Sequence, residues 1–72
     1  MAIVKVIEVI AQSDTSWEDA TQQALIEAKK TIHNIQSIYI KEFQAIVGDR
    51  QEITDYRVNA KISFVVDESR PA

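Results

Sequence analysis

The sequence predicts an α+β fold with the element order β-α-β-β, and three observations carry that expectation. First, the even positions Thr54, Tyr56, Val58, Ala60, Ile62, Phe64 and Val66 form an unbroken row. The odd positions between them include Asp55, Arg57, Asn59, Lys61 and Ser63, so the segment reads as a long strand with one apolar and one polar face. Second, Ala2 to Ile10 is rich in Ile and Val at both parities, the pattern of a strand covered on both faces. Third, a helical stripe follows a capping signal near Trp17.

The elements follow in order. The first strand is interrupted by Lys5 and Glu8, which argues against a signal peptide or a membrane segment. Ala11 to Ser16 reads as a polar connector. Thr15 with Glu18, or Ser16 with Asp19, offers a capping box that starts a helix near Trp17. Its buried stripe is Trp17, Ala20, Thr21, Ala24, Ala28, Ile32 and Ile35, with Leu25 on the flank and Ile26 on the opposite side. Three alanines along the stripe let the helix lie close to a sheet. Asn34 is the expected stop, which puts His33 in the last helical turn. A second strand runs from about Ser37 to Val47, and Gly48-Asp49 supplies turn chemistry for a hairpin into the third. The whole of 1–72 reads as one domain, with 67–72, including Pro71, as a frayed tail.

Composition narrows the function. The chain is 46% hydrophobic, yet one of 72 residues buries only about 60% of its unfolded surface. One helix cannot shield two sheet faces. Tyr39 and Phe43, both on odd positions of the second strand, are expected on the uncovered face, where an apolar patch marks an interface between copies. The net charge is −3 with interspersed signs, so nucleic acid is not an expected partner. There is no cysteine, hence no disulfide and no thiolate metal site. A cytoplasmic location is expected, with no membrane partner. Ser13 to Ser16 has no nearby base, the single His33 has no acidic orienter, and one glycine cannot form a phosphate loop. The expected protein is therefore not an enzyme.

The segments Lys5-Val6-Ile7-Glu8, Thr15-Ser16-Trp17-Glu18-Asp19-Ala20, Lys41-Glu42-Phe43 and Tyr56-Arg57-Val58-Asn59-Ala60-Lys61-Ile62-Ser63-Phe64, in this order and spacing, resemble the dodecin family. The resemblance covers residues 3 to 66. It implies a three-stranded antiparallel sheet curled around one helix. It further implies a hollow homododecamer of tetrahedral symmetry that stores or sequesters flavin, riboflavin or FMN, stacked in pairs between subunits.

Two positions define the flavin pocket in that family: a stacking tryptophan four residues before the lysine of the second strand, and a glutamine directly after the tyrosine of the third. Here they are Ser37 and Arg57, the candidate ligand-binding residues, and neither matches. A lost aromatic partner removes roughly 0.5–1.5 kcal/mol beyond its buried area. Arg57 instead offers a guanidinium that stacks on a π-face or pairs with an anion; the alternative is a salt bridge within the row of Asp55 and Lys61. The chain also resembles a branch with the Thr-Ser-Trp-Glu helix start, in which a calcium-bound member is known, so a flavin-free shell binding calcium is the second reading. Asp14, Glu18 and Asp19 gather at the helix start, where dipole capping accounts for them better than a metal. Glu8 and Glu42 interrupt apolar strands and are expected to face each other or cations between subunits. Trp17 reads as a core anchor and not as a ligand platform.

Overall fold

The computed structural model describes residues 3–66. Its elements are β1 (Ile3–Ser13), α1 (Trp17–Ala28), β2 (Ile35–Val47) and β3 (Ile53–Val66). The expected frayed tail at 67–72 and the start of β1 at Ala2 lie outside the described residues.

The sheet is antiparallel with strand order β1-β3-β2. The long alternating strand is thus the central one. Its even residues Val58, Ala60 and Ile62 are fully buried. They face Ala20 and Ala24 of the helix, which are buried as expected from the alanine stripe. In register, Ile7 pairs with Ile62, Val9 with Ala60 and Ala11 with Val58, so the odd residues of β1 join this face. The helix lies chiefly over β1 and β3 and touches β2 only at its edge. The apolar row of β3 and its polar odd face are where the sequence put them. No described helix is long and apolar enough to cross a membrane.

Boundaries differ in three places, one being the start of β2 at Ile35, a residue expected on the helical stripe. β1 continues through Gln12 to Ser13, so half of the expected polar connector is strand. The helix ends at Ala28, two turns before Asn34, and His33 lies in the connector that follows instead of a last helical turn. The physical reason is local. Lys30 N donates to Glu27 O and Thr31 N to Ala28 O, bonds of the tighter three-residue type. Thr31, Ile32, His33 and Asn34 are all weak helix formers, two of them β-branched. Asn34 then takes φ 63° and turns the chain into β2. Asn34 is a stop signal, but for the connector.

The helix start is resolved in favour of Ser16. Its hydroxyl accepts from Asp19 N at 2.9 Å. The Asp19 carboxylate does not close a reciprocal box; it accepts from the Ser13 hydroxyl at 2.6 Å and so ties α1 to the end of β1.

Bulges at β2 decide which side chain faces where. Ile40 pairs with Ala60 and Glu42 with Asn59, leaving Lys41 as an extra residue. Before it, Tyr39 pairs with Lys61 on the outer face; after it, Phe43 pairs with Val58 on the helix face. The expectation that Tyr39 and Phe43 share the uncovered face is therefore corrected. One inserted residue reverses the parity.

The β2–β3 turn also departs from simple glycine chemistry. Gly48 N donates to Glu52 O at 2.9 Å and Gln51 N to Gly48 O at 3.0 Å. The left-handed residue is Gln51, with φ 63°, not Gly48. Glycine is needed at 48 for room: a Cβ there would stand 2.7 Å from Thr54 Cγ2. A long side chain at positive φ costs about 1 kcal/mol or more. Gln51→Gly is expected to raise the stability of the chain by about 0.5–1 kcal/mol, read from the denaturant midpoint. A lowered midpoint would contradict the turn geometry.

Candidate functional site

The outer face of the sheet, opposite the helix, carries both candidate ligand residues. Its rows run across three strands: Val6, Ser63 and Ser37; Glu8, Lys61 and Tyr39; Ile10, Asn59 and Glu42; Gln12, Arg57 and Gln44. A polar central column is thus flanked by a mixed column on either side. Val4, Val6, Ile10 and Tyr39 are all more than half exposed on it.

Ser37 occupies one end. Its hydroxyl is hydrogen-bonded to that of Ser63 across the strand pair. Arg57 occupies the other end. Ser63 and Arg57 are six residues apart on β3, about 20 Å along an extended strand. One chain therefore does not bring Ser37 and Arg57 together.

Arg57 is half-buried and its contacts are not those expected. Its Nε and Nη2 donate to Gln12 Oε1 at 3.0 and 2.7 Å. Gln12 Nε2 in turn donates to Asp55 Oδ2 at 2.6 Å. A glutamine from β1 thus stands between the two charges, and Asp55 makes no ion pair with Arg57. Neither does Lys61 join a salt bridge among the described residues. The sequence reading missed Gln12 because it assigned Ala11 to Ser16 to a connector. The available signal was parity: Gln12 continues the even row of Val4, Val6, Glu8 and Ile10 onto the outer face.

The remaining acidic groups are accounted for. Glu8 meets Lys41, the bulge residue, at 3.4 Å, with both side chains nearly half exposed, a weak pair. Glu42 lies one row away, opposite Asn59, and not against Glu8. Asn59 Oδ1 is buried without a hydrogen-bond partner. Asp14, Glu18 and Asp19 do not form a metal-sized cluster; among the described residues no group of three or more His, Cys, Asp or Glu does. Asp14 accepts from the Thr15 hydroxyl and Asp19 from Ser13.

Trp17, Phe43 and Tyr56 gather on the helix face. Trp17 is half-buried, with its Nε1 donating to Gln44 O at 2.9 Å. Its ring meets Phe43 edge-on at 5.8 Å and Tyr56 at 5.0 Å. It anchors the first helical turn to β2 and β3, the role expected of it. Two hollows of about 540 and 400 Å³ also open on the helix side. The first is lined by Ile32, His33 and Phe64 near the α1–β2 connector; the second lies between α1 and the free edge of β1. Neither includes Ser37 or Arg57.

Comparison with known proteins now has a fold and a face to be set against. A sequence model of the family described as Dodecin matches residues 3–67. The chain is 32% identical over 71 residues to calcium dodecin of Mycobacterium tuberculosis, covering 99% of both. It is 27% identical over 67 residues to dodecin of Thermus thermophilus, covering 93% of this chain and 96% of that one. In structure it resembles the M. tuberculosis calcium dodecin, described as calcium chelating with a novel calcium-binding site, at a TM-score of 0.79 and 31% identity over 97% of this chain and 99% of that one. A variant of the T. thermophilus dodecin superposes with a TM-score of 0.87 at 26% identity over 96% of this chain and all of that one. Dodecameric assembly is known for this family. With the family pattern running through every described element, from the first strand to the end of the third, the chain belongs to the dodecin family.

Proposed function

We propose that this chain is a binding protein, not an enzyme, whose copies close into a hollow homododecamer and hold a small ligand where they meet. The observation that carries the reading is the outer face. Val4, Val6, Ile10 and Tyr39 stand more than half exposed, beside a core of five buried apolar residues among those described. Apolar surface of that extent costs free energy in water at roughly 25 cal/mol per Å² and is offset by contact with other copies. The separation of Ser37 from Arg57 fits the same arrangement, because a site using both positions must be built from more than one chain. The expected cytoplasmic location belongs to this proposal as well.

The ligand class proposed first is a flavin, riboflavin or FMN, held weakly. Ser37, bonded to Ser63, supplies no stacking surface, and Arg57 replaces the amide that would pair with the ring. The second reading is a flavin-free shell that binds calcium. It is favoured by the 32% identity to calcium dodecin and by Glu8 and Glu42 on the outer face. Since no chain gathers three acidic groups among its described residues, such a site would draw oxygens from several copies.

Light scattering on the purified protein should report a particle near twelve chains at micromolar concentration; a monomer or dimer would defeat the assembly and the site placement together. Ser37→Trp combined with Arg57→Gln should tighten riboflavin binding at least about tenfold, or about 1.4 kcal/mol, in a flavin-fluorescence titration. An unchanged affinity would mean that the pocket has another shape in this chain. For the second reading, equilibrium dialysis against calcium should show saturable uptake by the assembled particle that Glu8→Gln with Glu42→Gln reduces. Uptake indifferent to both carboxylates would discard it.

A further inference from the structure

The outer face holds a half-buried cation that no carboxylate among the described residues neutralises. Arg57 lies on the central strand, and among the described residues no acidic oxygen stands within ion-pair reach of it. Asp55 is two residues away on the same face, close enough to have paired. It does not, because the Gln12 carboxamide is inserted between them: its oxygen takes Arg57 Nε and Nη2, and its nitrogen satisfies Asp55 Oδ2.

Two consequences follow. One acceptor, the Oε1 of the exposed Gln12 side chain, takes two of the guanidinium nitrogens, so the hydrogen bonds that orient the group come from β1. The Nη1 end and one Nη2 hydrogen are left without a protein acceptor among the described residues, so the fork is presented with its charge intact. A direct Asp55–Arg57 bridge would have spent both. A planar fork of this kind matches the two oxygens of a phosphate or carboxylate, and charge-assisted bonds of that geometry are about twice as strong as neutral ones.

We propose that Gln12 is a positioning residue that holds Arg57 as an anion receptor, and that the ligand of this face carries a phosphate or similar anionic group. The inference rests on the reading that Arg57 faces a ligand, and it specifies the chemical class of that ligand. Gln12 does not touch the anion. It acts by keeping the guanidinium oriented and by keeping Asp55 away from it.

The test uses the assembled protein and three probes. Equilibrium dialysis measures radiolabelled inorganic pyrophosphate, and fluorescence titration compares FMN with riboflavin. The unmodified protein should take up pyrophosphate saturably and prefer FMN over riboflavin by about tenfold, the strength of one added charge-assisted contact. Arg57→Ala should abolish both effects. Gln12→Ala should lower pyrophosphate affinity and narrow the FMN preference, with particle size unchanged. Gln12→Glu is the discriminating variant. It keeps the guanidinium in place but supplies the missing carboxylate, so it should remove anion binding as fully as Arg57→Ala. Anion binding retained in Gln12→Glu, or unchanged in Gln12→Ala, overturns the role of Gln12. Riboflavin bound without any pyrophosphate uptake or FMN preference overturns the anion receptor while leaving the flavin reading standing. Pyrophosphate uptake without riboflavin binding supports the receptor and removes the flavin reading.

Discussion

The fold depends on one contact, the seating of two alanines on the central strand. Ala20 and Ala24 of the helix press against Val58, Ala60 and Ile62, all of them buried. Small side chains on both sides of this junction allow the helix axis to approach the sheet closely, so few atoms suffice to exclude water. Everything else is arranged around it. Trp17 pins the first turn of the helix to the β2 backbone through its indole N–H, and the Ser13–Asp19 bond pins the same turn to β1. Because the seat is narrow, the helix covers only the β1–β3 half of the sheet, and β2 is left bare on much of both faces. A domain so thinly cored leaves much of its apolar surface exposed.

The bulge at Lys41 converts this geometry into two distinct surfaces. Without the extra residue, Tyr39 and Phe43 would lie on one face and together form an aromatic patch. With it, Phe43 turns under the sheet to meet Trp17, and Tyr39 stays on the outer face beside Lys61. The bulge residue itself reaches across the central strand to Glu8. A single insertion thus splits the aromatic residues between a structural cluster and a candidate contact surface, and it is a fixed feature of backbone hydrogen bonding, not of side-chain preference.

Membership of the dodecin family and the chemistry of the outer face bear on each other. The two candidate ligand positions are a serine bonded to its neighbour and an arginine held by a glutamine. Asn59 Oδ1 lies buried without a hydrogen-bond partner in the middle of the same column.

What the sequence by itself determined is what periodicity and local chemistry can specify. The alternation through Val58, Ala60 and Ile62 gave a strand with one buried face, the Thr15–Glu18 or Ser16–Asp19 spacing gave a helix start near Trp17, and the alanine stripe gave the face that packs. These signals are local, and each needs only a few neighbouring residues to exist. Three features were decided by the tertiary structure. The centrality of β3 and the strand order β1-β3-β2 follow from which edges find partners. The face of Phe43 depends on a bulge that only cross-strand hydrogen bonding reveals. The partner of Arg57 is Gln12, distant in sequence and brought alongside by β1–β3 register, so the nearby Asp55 was the natural sequence choice and the wrong one. A charge pairs with what the sheet places beside it, and register is a property of two strands at once.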